Sequence, residues 1–184
     1  MAIITIFLIT VEHLHQAIAF SSHYSWESLS LAVGIYALFS LGFGWCCKLL
    51  VWKPQPTRVT VKIMATSLIA PAILEEFFFR GILLPDPVSQ IDVQTYVMRS
   101  LLSLSLFVLY HPLNALSFFP QGKQTFFNPV FLTLATALGI VCTFSYWQTG
   151  SLWLPIAIHW LTVVLWLSYF GGWEKLNPST VIEE

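Results

Sequence analysis

Long apolar segments separated by short polar stretches make up most of this 184-residue chain. A helix that crosses a membrane needs about 20 mostly apolar residues. Segments that meet this requirement, or nearly meet it, are 2–20, 29–52, 63–84, 96–119, 129–147 and 152–170. The first is the weakest, because Glu12, His13 and His15 interrupt it. Since lipid offers no hydrogen-bond partner to the backbone, each segment should be a helix. The pattern predicts an all-α, polytopic transmembrane helix bundle of about six spans.

The composition supports a membrane protein. Only 9% of the residues are charged and 57% are hydrophobic, whereas soluble domains carry about 25% charged residues. No polar linker divides the chain, so we expect one membrane-embedded domain over residues 1–184. The net charge of −1 argues against nucleic-acid binding, which needs a basic surface. The expected surroundings are membrane lipids.

The distribution of Lys and Arg predicts the orientation in the membrane. Apart from Arg80 and Arg99, these residues lie between the second and third segments (48–62), at Lys123, and at Lys175. These three regions fall on one side of the membrane if the spans alternate. Because short basic loops stay in the cytoplasm, we predict a multi-pass protein with both termini cytoplasmic.

The third segment contains the most unusual residues of the chain, Glu75, Glu76 and Arg80. Ionised groups in an apolar medium are costly unless they are paired or functional. Residues four apart share a helix face, so Glu76 and Arg80 can form an ion pair. Glu75 points about 100° away and lacks that partner. One interpretation is that the pair only locks neighbouring helices together, and the other is that Glu75 performs proton chemistry.

Two histidines, His111 and His159, lie in the fourth and sixth segments. A single histidine in a membrane helix is often only an interhelical hydrogen-bonding group. Here, however, ionisable residues occur inside three separate segments, while nearly all other charges lie near segment ends or in loops. This restricted distribution favours one shared site built from Glu75, His111 and His159.

At these positions the chain resembles a known family. The motifs, in chain order, are Glu75-Glu76 with Arg80, Phe107 with His111, and the run 148–155 with His159. They are similar to those of the CAAX-protease and bacteriocin-processing group of intramembrane proteases, which includes the type II CAAX prenyl endopeptidases. The resemblance covers roughly residues 70–166. It implies an intramembrane endopeptidase of a group named among the metalloproteases, with a membrane-associated peptide or protein substrate, a class that includes lipidated chains.

The resemblance also implies roles for individual residues. Glu75 would activate the attacking water, His111 would position that water, and His159 would stabilise the oxyanion. Peptide hydrolysis needs these three functions, so the chemistry of the residue types agrees with the resemblance. The remaining motif positions are Glu76 and Arg80, which the resemblance adds to the catalytic set, and Phe107, for which we predict a binding role.

The chain departs from the family at Val163. Members often have Asn four residues after the last motif histidine, and valine cannot donate a hydrogen bond. Loss of one oxyanion donor costs about 2.7–4 kcal/mol in a well-studied soluble protease, so this replacement puts activity in question. We predict that Thr162 or a backbone N–H takes over this function.

Metal dependence is open at the level of the sequence. Glu75, His111 and His159 are a ligand set that zinc uses in catalytic sites. The two histidines come from different helices, without the HExxH spacing that presents both from one helix. Metal-independent catalysis is the favoured interpretation.

Two alternatives to an active protease stay open. A catalytically weak or inactive member acting as a membrane binding or immunity protein would explain Val163. A proton-coupled transport subunit would explain buried carboxylates and histidines. Transport predicts a water path and no tight cluster, whereas hydrolysis predicts that Glu75, His111 and His159 converge on one cavity.

Overall fold

The computed structural model describes residues 25–87 and 91–178, and within these ranges it is helical with no β-strand. The α-helices are α1 (Trp26–Cys46), α2 (Thr57–Ser67), α3 (Leu74–Glu76), α4 (Val93–Ser117), α5 (Lys123–Phe126), α6 (Pro129–Thr149), α7 (Trp153–Tyr169) and α8 (Gly172–Leu176). Wider π-helical turns occupy Leu68–Ile73 and Phe77–Ile82, and a 3₁₀ turn covers Pro120–Gly122.

The prediction of an all-α polytopic bundle is confirmed. α1, α4 and α6 are each long and apolar enough to cross a membrane, and α7 is a shorter apolar helix of 17 residues. The segments predicted at 96–119, 129–147 and 152–170 correspond to α4, α6 and α7. The segment predicted at 2–20 lies outside the described residues.

The third predicted segment is not one regular helix. Residues 57–82, here called the broken helix, run from α2 through a π-helical turn into α3 and then through a second π-helical turn. Ala70, with φ −129° and ψ 115°, leaves the helical conformation directly before Pro71, because the proline ring disfavours helical geometry in the preceding residue. The helix is therefore broken at Ala70–Pro71, and α3, which carries Glu75 and Glu76, follows this break.

The second predicted segment is shorter than expected, because α1 ends at Cys46 rather than near Trp52. Lys48 has a positive φ of 57° and the chain turns there. The following residues instead attach to the end of α7. Lys53 N–H donates to the Tyr169 carbonyl at 2.8 Å, and Gln55 N–H donates to the Ser168 carbonyl at 2.7 Å. Hydropathy could not predict that the residues after Cys46 form a loop bound to the end of α7 and do not continue the membrane span.

α6 is the central helix of the described bundle, because it packs against α1, α4 and α7. Its Gly139 permits a close approach of α4, since a Cβ atom there would lie 2.5 Å from Leu104 Cδ1 and 3.2 Å from Phe107 Cδ1. The same position borders the Arg80 side chain at 3.4 Å. Gly139 thus brings α4, α6 and the broken helix together around the charged residues.

Candidate active site

The predicted ion pair between Glu76 and Arg80 is present and fully enclosed. Arg80 Nη1 lies 3.1 Å from Glu76 Oε1, and both side chains are 0% exposed. Arg80 Nη2 also donates to the Gly139 carbonyl at 2.9 Å. The guanidinium carbon lies 4.8 Å from the centre of the Phe107 ring, close enough for a cation–π contact. A buried charge is tolerated only with such partners, and these join the broken helix to α4 and α6.

Glu76 has a second partner, His159. The distance from His159 Nδ1 to Glu76 Oε1 is 2.7 Å. Because an ionised carboxylate can only accept hydrogen bonds, Nδ1–H must be the donor. This bond fixes the orientation of the imidazole on α7 and leaves the other ring nitrogen, Nε2, for other partners. Glu76 therefore connects the ion pair to a histidine 83 residues later in the chain.

Glu75 points away from that pair, as its helical position predicts. Its Oε2 atom lies 3.9 Å from His159 Nε2, and its side chain is 12% exposed. Within the described part of the chain, no donor lies within hydrogen-bonding distance of Oε2. Glu75 is thus a nearly buried carboxyl group with an oxygen that is available to accept a proton or a hydrogen bond.

His111 is held by its own helix, α4. Its Nδ1 lies 2.9 Å from the Phe107 carbonyl, and since a carbonyl only accepts, Nδ1 carries the proton. In the neutral ring Nε2 is then an acceptor. The ring packs edge-on against Phe107, Phe126 and Phe131, with centroid distances of 5.1, 5.7 and 5.3 Å. These aromatic contacts restrict the direction in which Nε2 can act.

The structure brings Glu75, His111 and His159 to one cavity of about 500 Å³. The three residues come from the broken helix, α4 and α7, as the hydrolysis hypothesis requires. The rest of the lining is mainly apolar and includes Leu134, Leu138, Phe119, Phe131, Trp166 and Phe170. The cavity therefore combines a small cluster of ionisable side chains with a large apolar surface.

Three of the other predicted site residues do not line this cavity. Glu76, Arg80 and Phe107 are each 0% exposed and lie behind the histidines, where they hold other side chains. The Phe107 ring also contacts the His159 ring, with a centroid distance of 5.9 Å. The sequence predicted a binding role for Phe107, whereas its position is that of a support.

Position 163 is occupied by a side chain without a donor, and Val163 lines the cavity beside Thr162. The Thr162 hydroxyl donates to the Ile158 carbonyl at 2.8 Å. It also accepts a long hydrogen bond of 3.4 Å from the Tyr36 hydroxyl. The only hydroxyl hydrogen of Thr162, the predicted donor, is thus already bound to the backbone of α7.

Two residues of this region were missed by the sequence analysis, Tyr36 and Gly139. Tyr36, on α1, lines the cavity together with Ser40. The sequence indicated this only weakly. Tyr36 and Ser40 are two hydroxyl residues four positions apart in an apolar segment, so they share a helix face. Gly139 supplies a carbonyl that accepts a hydrogen bond from Arg80. In the sequence it is an isolated glycine inside a helical pattern, which can indicate a close packing contact.

Among the described residues, no three His, Cys, Asp or Glu side chains are arranged to hold a metal ion. The structure therefore adds no support to the zinc hypothesis. Catalytic zinc sites need three protein ligands around one point. We therefore derive no step through a metal, and metal-independent catalysis stays a prediction.

Comparison with known proteins adds one match. A model of the family described as Type II CAAX prenyl endopeptidase Rce1-like matches residues 56–165, more than half of the chain, from α2 to α7. No curated protein and no solved structure matches the chain significantly.

Proposed function

The chain belongs to the Type II CAAX prenyl endopeptidase Rce1-like family, and on that premise we propose that its cavity hydrolyses a peptide bond of a membrane-associated substrate. At family level the protein is a CAAX-type intramembrane protease and an integral membrane protein. One observation carries the finer proposal: Glu75, His111 and His159 line the same cavity.

Glu75 is the proposed general base. Its Oε2 takes a proton from a water molecule, and the water oxygen forms a bond to the carbonyl carbon of the substrate. The carbon–nitrogen bond then breaks, and Glu75 returns the proton to the leaving amine. General-base assistance of this kind contributes about 10²–10⁴-fold to a rate. The 3.9 Å separation of Oε2 from His159 Nε2 keeps base and oxyanion donor near one reacting centre.

The two histidines have complementary roles in this proposal. His111 accepts a hydrogen bond from the attacking water through Nε2, because its Nδ1–H is bound to the Phe107 carbonyl. In this proposal His159 is an imidazolium throughout the reaction, donating from Nε2–H to the oxyanion while Nδ1–H stays bound to Glu76, so no proton has to be supplied to its ring during turnover. Preorganised donors of this kind are usually the largest contribution to acyl-transfer catalysis.

Glu76, Arg80 and Phe107 are proposed as positioning residues. Arg80 holds Glu76 at 3.1 Å, and Glu76 holds His159 at 2.7 Å. Loss of this support would leave Nε2 of His159 without a fixed direction, and a misplacement of about 1 Å can cost about 10²-fold in rate.

The proposed substrate is a protein or peptide whose C-terminal region reaches the membrane and carries a prenyl group. The family description contains the words CAAX prenyl endopeptidase, and the mainly apolar cavity offers a surface for a hydrocarbon group. Because lipid is as apolar as the cavity lining, van der Waals packing would hold the prenyl group there, without a contribution from transfer out of water.

Replacement of Glu75 tests the proposal. The purified protein is reconstituted in liposomes and incubated with a fluorogenic peptide that ends in a CAAX sequence, with and without a farnesyl group on its cysteine. Cleavage by wild type is followed by fluorescence and its site by mass spectrometry. Glu75→Gln should lower kcat by at least about 10²-fold while keeping the folded elution profile in detergent. Glu27→Gln, on an exposed side chain at the start of α1, is the matched control. Full activity of Glu75→Gln would refute the mechanism.

The Val163 replacement supports a second candidate, a weak or inactive member that acts as a membrane binding or immunity protein. Absence of cleavage of both peptides by wild type, with folded protein present, would favour it.

The transport alternative predicts separated ionisable groups, and the shared cavity of Glu75, His111 and His159 argues against it. We further propose a single domain over residues 1–184 with both termini cytoplasmic.

A further inference from the structure

The proposed reaction needs a second hydrogen-bond donor that the helix of His159 does not offer. A tetrahedral intermediate is usually held by two donors or more, placed about 2.7–3.1 Å from the oxyanion. His159 Nε2 supplies one. Val163, one helical turn later and in the cavity lining, has no polar atom in its side chain. The compensating donor therefore has to come from another group at the cavity.

Thr162 is poorly placed for this function, although it lines the cavity. A hydroxyl has one hydrogen to donate, and that of Thr162 is bound to the Ile158 carbonyl at 2.8 Å. Threonine hydroxyls commonly make this bond to the carbonyl four residues earlier in a helix. To serve an oxyanion, Thr162 would have to leave a good hydrogen bond inside an apolar environment.

Tyr36 has the properties that Thr162 lacks. Its hydroxyl reaches Thr162 Oγ1 only at 3.4 Å, a long hydrogen bond that is easily exchanged. Tyr36 also lines the cavity that contains Glu75, His111 and His159. It packs against the buried apolar cluster that Leu138, Val141 and Cys142 of α6 form with Ile158, the residue before His159. The aromatic ring is thus held rigidly while its hydroxyl hydrogen can change partner.

We propose that Tyr36 is a catalytic residue of this chain, whose hydroxyl donates to the oxyanion in place of the side-chain amide absent at position 163. Thr162 is then a positioning residue that holds the Tyr36 hydroxyl between turnovers. This inference rests on the proposed hydrolase function and deepens it.

The test is a rescue experiment on the reconstituted protein with the farnesylated fluorogenic peptide. Tyr36→Phe removes only the hydroxyl, and we expect kcat to fall about 10²–10³-fold with KM nearly unchanged. Val163→Asn introduces the amide that is missing. In the Tyr36→Phe background it should restore most of the lost kcat. A structural role of Tyr36 would not predict such rescue.

Control variants separate the hydroxyl of Tyr36 from hydroxyls in general. Tyr169→Phe removes a hydroxyl from a ring that stacks on Trp52 outside the cavity lining, and it should leave kcat unchanged. Thr162→Val should cost less than Tyr36→Phe. Wild-type kcat in Tyr36→Phe would overturn the inference. So would a larger loss in Thr162→Val, or a failure of Val163→Asn to restore any activity in the Tyr36→Phe background.

Failure of this inference differs from failure of the proposed function. If Glu75→Gln abolishes cleavage while Tyr36→Phe does not, the protease stands and only the Tyr36 assignment falls. If Glu75→Gln is fully active, the mechanism falls before Tyr36 is considered.

Discussion

A single residue, Glu76, connects the charge pair to the proposed catalytic histidine. It accepts hydrogen bonds from Arg80 and His159 on the same oxygen atom, Oε1. The sequence motif alone predicts the pairing with Arg80, because the two residues lie four apart on one helix. Its bond to His159 gives this glutamate a second function, since the same group satisfies a buried cation and orients an imidazole.

Variants of Glu76 and Arg80 should separate these two functions. Glu76→Leu leaves Arg80 buried and unpaired, which should lower the free energy of unfolding by about 3–5 kcal/mol. Glu76→Leu with Arg80→Met removes both charges, so we expect much of the stability to return. Activity should stay low in the double variant, because His159 loses its acceptor. Thermal unfolding in detergent and cleavage of the farnesylated peptide measure the two properties.

The pair between Lys53 and Glu174, which is exposed on the Lys53 side, is the control for this experiment. Their side chains lie 3.5 Å apart and are 53% and 19% exposed. Lys53→Met should change the free energy of unfolding by less than about 1 kcal/mol. A double variant at Glu76 and Arg80 with wild-type activity would show that Glu76 does not position His159.

At the scale of elements, the site depends on irregular helix geometry and on one close helix contact. The break at Ala70 separates α2 from α3, so residues 57–82 do not continue as one rod. Gly139 then lets α4 approach α6, and its carbonyl binds Arg80 at 2.9 Å. Backbone irregularity is tolerated inside a membrane where neighbouring protein satisfies the freed groups.

A larger side chain at Gly139 should disturb this contact. Gly139→Val would place methyl groups among Leu104, Phe107 and Arg80, where a Cβ atom alone already meets Leu104 at 2.5 Å. Overpacking of this kind costs about 1–3 kcal/mol, so we expect a lower melting temperature and reduced cleavage. Gly34→Val, at a position with no heavy atom within 4 Å of the added Cβ, is the control. Equal melting temperatures for the two variants would contradict the proposed role of the close contact.

At the scale of the whole molecule, orientation follows from where the basic residues lie. The connection between α1 and α2 contains Lys48 and Lys53, and Arg58 follows in the first turn of α2, whereas the connection before α4 contains Asp86 and Asp92. In the structure the α1–α2 connection is bound to the end of α7, close to Glu174 and Lys175 of α8. Two of the three basic regions are therefore neighbours in space, which agrees with a common side of the membrane.

Accessibility labelling can test this orientation. Single cysteines are introduced by Arg58→Cys or Asp92→Cys in a background with Cys46→Ser and Cys47→Ser, since both native thiols are exposed. In intact cells a membrane-impermeant maleimide should label the cysteine at position 92. The cysteine at position 58 should react only after permeabilisation, because basic loops stay cytoplasmic. The reverse pattern would invert the predicted topology.

The class of protein, most of its helices and its family-like motifs could be predicted from the amino-acid sequence. Hydropathy and the cost of unpaired backbone groups in lipid leave helices as the solution, so α4, α6 and α7 were predicted closely. The pairing of Glu76 with Arg80 was also predictable, since spacing along one helix decides which side chains share a face.

Only the tertiary structure decided which helices meet and in what register. The bond from His159 to Glu76, the carbonyl of Gly139 at Arg80, and the position of Tyr36 beside Thr162 all join residues distant in sequence. Periodicity says nothing about these distances, because packing between helices depends on side-chain shapes on both surfaces. Nor could hydropathy show that α1 ends at Cys46, since the apolar residues after it bind backbone groups of α7 instead of extending a helix.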